Sequence, residues 1–168
     1  MYSRLSYVPL VLGILALVIT LPLVISKSSE PSPQTFKTEA QQAKVVTVSF
    51  FPQQGTFGRT TTEGIPVGII LESNNKPVQN VDFVVSFDPN MVQVSALGKG
   101  TIFENYVVTQ VDNTKGKMVI SALNSAIKPV TGIVASFRFQ PKKAGTAQFI
   151  FTQASGTEKA LNASYLIN

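Results

Sequence analysis

The sequence predicts an all-β domain, a sandwich of packed sheets, preceded by one apolar helix long enough to cross a membrane. Three observations carry this reading. From residue 44 onward, about nine short runs alternate apolar and polar residues with period two. Gly, Pro, Asn and Asp separate those runs. No stretch there repeats apolar residues at helical spacing, whereas residues 8–26 form one uncharged apolar block.

The N-terminal part divides into three pieces. Residues 1–7 are expected to be a short cytoplasmic start carrying Arg4. Residues 8–26, VPLVLGILALVITLPLVIS, would make roughly 28 Å of helix, close to the hydrocarbon thickness of a bilayer. The basic near flank orients the remainder outward. Two readings stay open. One is an uncleaved signal anchor, favoured because the run exceeds the ~7–15 residues of a signal-peptide core. The other is a cleaved signal peptide with Val24 and Ser26 before the cut. The expected location is therefore the cell membrane, single-pass, with the C-terminal domain extracytoplasmic, or secreted if the segment is removed. Residues 27–43 begin KSSEPSPQTFKTEAQQ, without apolar periodicity, and read as a flexible tether.

The body, residues 44–168, is read strand by strand. VVTVSFF (45–51) alternates. IPVGIIL (65–71) places Ile65, Val67, Ile69 and Leu71 on one face. VDFVVSF (81–87) sends Val81, Phe83, Val85 and Phe87 inward, and Asp82, Val84 and Ser86 outward. A turn at Asp88-Pro89-Asn90 leads into MVQVSAL (91–97). YVVTQV (106–111) and KMVISAL (117–123) flank the turn DNTKG (112–116), whose Gly116 is free to take positive φ. GIVASFRFQ (132–140) is expected to point Ile133, Ala135, Phe137 and Phe139 inward. TAQFIFTQ (146–153) and LNASYLI (161–167) complete the set. Sheets with one buried face explain the alternation. Roughly 125 residues suffice to bury such a core without disulfides.

Composition excludes several chemistries. The chain has no Cys and no His, which removes thiolate nucleophiles, Cys- or His-ligated metals and the Ser-His-Asp triad. The net charge is +5 with a pI near 9.6, but the Lys residues are scattered. Nucleic-acid binding would need a basic stripe with interleaved aromatics, so no nucleic-acid partner is expected. The body's acids are Glu63, Glu72, Asp82, Asp88, Glu104, Asp112 and Glu158. Nothing pairs them as a glycosidase requires, and Asp112-Asn113 lacks the further acidic ligands of a calcium loop. The expectation is a non-enzyme without a cofactor or metal of its own.

NVDFVVSFDPNMVQV (80–94) resembles the cohesin signature, in which a strand ends in an aromatic-Asp-Pro-Asn turn and a second strand begins. Gly98 and Gly100 follow where cohesins carry a glycine-containing loop, NTKGKMVIS matches the turn before a central strand, and TGIVASFRFQPKKAG matches a Gly-led strand. The resemblance covers most of the body. It implies a nine-strand jelly-roll β-sandwich, related in fold to certain carbohydrate-binding modules. It implies a non-catalytic receptor that docks a dockerin-like protein module through one sheet face, in assemblies that degrade polysaccharide. Any calcium is then expected on the partner. The outward polar residues before the Asp-Pro turn, Asn80 and Asp82, fall at positions that recognise the dockerin, and Ser86 lies on the same face. Asn113 and Asn124 fall near other family contact positions. No acidic residue stands near Leu123, where the family pattern has one.

Two alternatives accompany this reading. Direct polysaccharide binding by the same fold would want exposed aromatics. The chain has no Trp and only four Tyr, leaving Tyr106 and Phe103 as a small possible platform. A structural subunit of a surface assembly would pair through an edge strand.

Overall fold

The structure is a computed structural model that describes residues 45–59 and 63–168. The expected cytoplasmic start, membrane anchor and tether (1–7, 8–26 and 27–43) lie outside the described residues. Among those described, no helix is long and apolar enough to cross a membrane.

Among the described residues nine strands follow one another: β1 (Thr47–Phe51), β2 (Gln54–Phe57), β3 (Ile65–Phe87), β4 (Val92–Lys99), β5 (Asn105–Asp112), β6 (Lys117–Pro141), β7 (Gly145–Ser155), β8 (Lys159–Leu161) and β9 (Ala163–Ile167). The pairing makes two layers that share two long strands. In one layer, β1 pairs with β8 and with the first half of β3, which pairs with the second half of β6, which pairs with β4. In the other, β5 pairs with the first half of β6, then come the second half of β3, β7, β9 and β2.

The count of nine agrees with the expectation, but its members differ. The runs 65–71 and 81–87 belong to one strand, because the segment between them keeps the pairs Pro77↔Pro129 and Val78↔Lys128 with β6. Asn74 and Asn75 take positive φ there, a conformation Asn tolerates, and the register shifts on either side of Pro77 and Val78. The runs 117–123 and 132–140 likewise fuse into β6. At the C-terminus the run 161–167 breaks at Asn162, whose Oδ1 accepts from the Phe151 N–H.

Alternation sorts the core. Val81, Phe83, Val85 and Phe87 are buried, as are Met118, Ile120 and Ala122 opposite them on β6. Phe149 of β7 touches five rings: Phe137 at 5.1 Å, Phe139 at 5.3 Å, Phe87 at 5.7 Å, Tyr165 at 6.0 Å and Phe50 at 6.1 Å. Since Phe137 and Phe139 lie in one layer and Phe149 in the other, these contacts join the sheets. Burying each such ring contributes roughly 1.5–3 kcal/mol. One inward expectation is corrected. Ile69 pairs with Ala135 but Ile70 pairs with Ile133, so a β-bulge turns Val134 inward and leaves Ile133 47% exposed.

Candidate partner-binding face

The outer face of the layer β5–β6–β3–β7 is built row by row from register. Asn80 stands opposite Leu123, which faces Asn105. Asp82 lies between Ser121 of β6 and Ser155 of β7. Val84 lies between Val119 and Gln153, and Ser86 between Lys117 and Ile150. Period-two alternation requires these side chains to point away from the core once Phe83 and Val85 point into it. Asn80 is exposed; Asp82, Val84 and Ser86 are half-buried.

Asp82 is the acidic group in the middle of this face. Its Oδ1 accepts a 2.6 Å hydrogen bond from Ser121 Oγ, which fixes the carboxylate's rotamer. No cation pairs with it among the described residues. Around it Ser155, Gln153 and Asn80 offer neutral donors and acceptors, while Val84, Val119, Leu123 and Ile150 offer apolar surface. Charge gathers instead at one end, where Lys117 faces Asp112 across the β5–β6 pair. There the Asp112 carboxylate accepts from the Lys115 and Thr114 N–H groups, and the Lys115 bond chiefly lowers its pKa. Two shallow hollows of ≈ 340 and ≈ 330 Å³ flank this end. The surface is shaped to meet another surface, not to enclose a small molecule.

The five residues expected to bind a partner separate into two groups. Asn80, Asp82 and Ser86 share the face. Asn113 does not join them: its Oδ1 accepts from the Val94 N–H and its Nδ2 donates to the Val94 carbonyl, both at 2.8 Å. Its amide therefore covers the free edge of β4. Asn124 is a correction. It is fully buried, and its Oδ1 accepts from the Glu104 N–H at 3.1 Å. Alternation places it inward with Met118, Ile120 and Ala122, so it cannot reach a partner. The residues that complete the face, Ser121, Val119 and Leu123, were readable from the same alternation.

Nearby, the Glu104 carboxylate accepts from Ser125 Oγ, from the Ser125 N–H at 2.9 Å and from Lys128 Nζ at 2.9 Å. The Ser125 hydroxyl bond, then Lys128, holds its pKa down at about 2. This cluster ties the start of β5 to β6. The Tyr106–Phe103 platform considered for sugars is absent from the surface. Phe103 is buried, and the half-buried Tyr106 donates its hydroxyl to the Val134 carbonyl. Among the described residues no group of three His, Cys, Asp or Glu could hold a metal ion.

The comparisons with known proteins agree with this architecture. No curated protein matches the chain in sequence. Among solved structures, the chain is similar to the seventh ScaB type I cohesin of Pseudobacteroides cellulosolvens, at 14% identity and TM-score 0.60, covering 73% of this chain and 92% of that one. It is similar to the third cohesin of ScaC in complex with the ScaB dockerin from Acetivibrio cellulolyticus, at 16% identity and TM-score 0.58, covering 73% and 98%. It is also similar to a non-cellulosomal cohesin from the archaeon Archaeoglobus fulgidus, at 14% identity and TM-score 0.55, covering 75% and 92%. At these identities the likeness speaks to fold. The family assignment comes from the sequence itself: residues 62–164, well over half of the chain, match the model of the cohesin domain, and the chain belongs to that family.

Proposed function

We propose that this chain is a non-catalytic receptor whose β5–β6–β3–β7 face docks a dockerin-like protein module. The observation that carries the reading is the row Asn80–Asp82–Val84, flanked by Ser121, Val119 and Ser155 on a mostly uncharged sheet face. Such a face offers an apolar centre and a fixed hydrogen-bond acceptor. That suits a protein surface. Cohesins of similar fold have been solved in complex with dockerins, which supports the same class of partner here. Calcium then belongs to the partner. In this reading residues 8–26 hold the domain at the outer side of the cell membrane, and polysaccharide-degrading enzymes are the cargo. The support for that placement is the uncharged apolar run itself.

Titration calorimetry of the full chain in detergent micelles against dockerin modules encoded in the same genome tests this. Saturable binding that disappears on calcium chelation is expected, with Asp82→Lys losing about tenfold or more in affinity. Failure of every such dockerin to bind refutes it.

A further inference from the structure

The outer face of the other layer carries an open trench of ≈ 670 Å³. Its floor is a single register row without side-chain bulk: Gly68 of β3 pairs with Ser136 of β6, which pairs with Gly98 of β4. Phe51, paired with Gly68 on the other side, stands at one end and is 67% exposed. Ala96, at the bulge between Ser95 and Gly98, lines the other end. One wall holds the paired Pro66 and Arg138, and the opposite wall the paired Ile70 and Ile133.

Gly68 is informative. Its φ lies outside the left-handed region, and a Cβ there would meet only the Phe51 carbonyl oxygen, at an ordinary 3.8 Å. Neither backbone conformation nor packing within the chain demands glycine, and glycine in a strand interior is destabilising. What the missing side chain does is keep the trench deep. The β6 bulge acts in the same direction, turning Ile133 out to form a wall.

Arg138 gives the trench its charge. Its NH1 donates to the carbonyls of Glu63 at 3.2 Å and Gly64 at 3.0 Å, which pins the half-buried guanidinium. Among the described residues no carboxylate pairs with it. A fixed guanidinium beside apolar walls complements a carboxylate attached to an apolar group. A saccharide fits less well. Among the described residues, Ser136 and Arg138 are the only hydrogen-bonding side chains lining the trench, and the floor's backbone is engaged in the sheet.

The geometry points to a second docking site on this chain, one that takes a segment of a partner protein presenting an apolar side chain next to a carboxylate. It lies on the opposite layer from the dockerin-type face and does not depend on that assignment.

Amide chemical-shift mapping on the isotopically labelled full chain in zwitterionic micelles tests it. Three probes are compared: an alternating Leu-Glu hexapeptide, its Leu-Lys counterpart and a glucuronate oligomer. The expected result is saturable shifts at Gly68, Gly98 and Ser136 with the Leu-Glu peptide alone. Arg138→Gln should weaken that binding about tenfold or more. Gly68→Val should abolish the trench shifts while leaving the rest of the spectrum, and any dockerin binding, as in the parent. No trench shifts with the Leu-Glu peptide, equal binding of the Leu-Lys peptide, or shifts with the glucuronate oligomer in place of the peptide would each overturn it.

Discussion

Replacing Asn113 by Ala separates scaffold from site. The Asn113 amide makes two hydrogen bonds to Val94, both 2.8 Å, and Val94 is 3% exposed. Each bond contributes about 0.5–1.5 kcal/mol net, and a buried group left unpaired costs about 1–3 kcal/mol. With partial rehydration of the β4 edge, the loss should be about 2–3 kcal/mol. For a urea dependence of about 2 kcal/mol per molar, the unfolding midpoint of the full chain falls by roughly 1–1.5 M. Asn113→Asp keeps the acceptor for the Val94 N–H but sets a carboxylate against the Val94 carbonyl, so it should not rescue. Dockerin affinity, measured where the variant is folded, should match the parent's. A stability loss under about 0.5 kcal/mol, or a loss of binding with stability intact, would refute this assignment and return Asn113 to the partner surface.

Three further outcomes follow from the same geometry. Phe149→Ala removes one of the rings that join the layers and should cost about 3–5 kcal/mol in chemical denaturation; a loss under about 1.5 kcal/mol would mean that the other cross-layer rings, such as the Phe50–Phe151 stack, hold the sheets together. Gly116→Ala should be strongly destabilising in a thermal melt, because Gly116 has φ of 61° and a Cβ would fall 2.0 Å from the Phe87 carbonyl oxygen; an unchanged melting temperature contradicts the turn geometry. Glu104 has its folded pKa lowered to about 2 from an ordinary 4.5. Its contribution is therefore present above pH 4.5 and is lost as pH falls through that window toward 2. Melts of the parent and of Glu104→Gln at stepped pH should converge across that range, and a constant difference would contradict the cluster.

Local alternation made the core of β3 legible, since Val81, Phe83, Val85 and Phe87 are separated by residues that tolerate water. The same logic applied along β6 would have placed Asn124 inside, one step on from Ala122. Ile133 defeated it because a bulge is set by pairing with Ile69 and Ile70, more than sixty residues earlier in the chain. Strand β2, QGTF, has no apolar alternation and is stabilised by its parallel pairing with β9. The role of Asn113 depends on β4 coming alongside the β5–β6 turn, a contact no local pattern encodes. For the site, Asn80, Asp82 and Ser86 were legible as one outward face. The trench was not: Gly68, Ser136 and Gly98 line up only once three strands are in register.

The docking surface itself is most directly tested by mapping amide shifts on the labelled full chain as a calcium-loaded dockerin is added. Perturbations should centre on Asn80, Asp82 and Val84 with their neighbours Val119 and Ser121, and should vanish on chelation. Perturbations confined to Gly68, Ser136 and Gly98, or none at saturating dockerin, would contradict the assignment of this face.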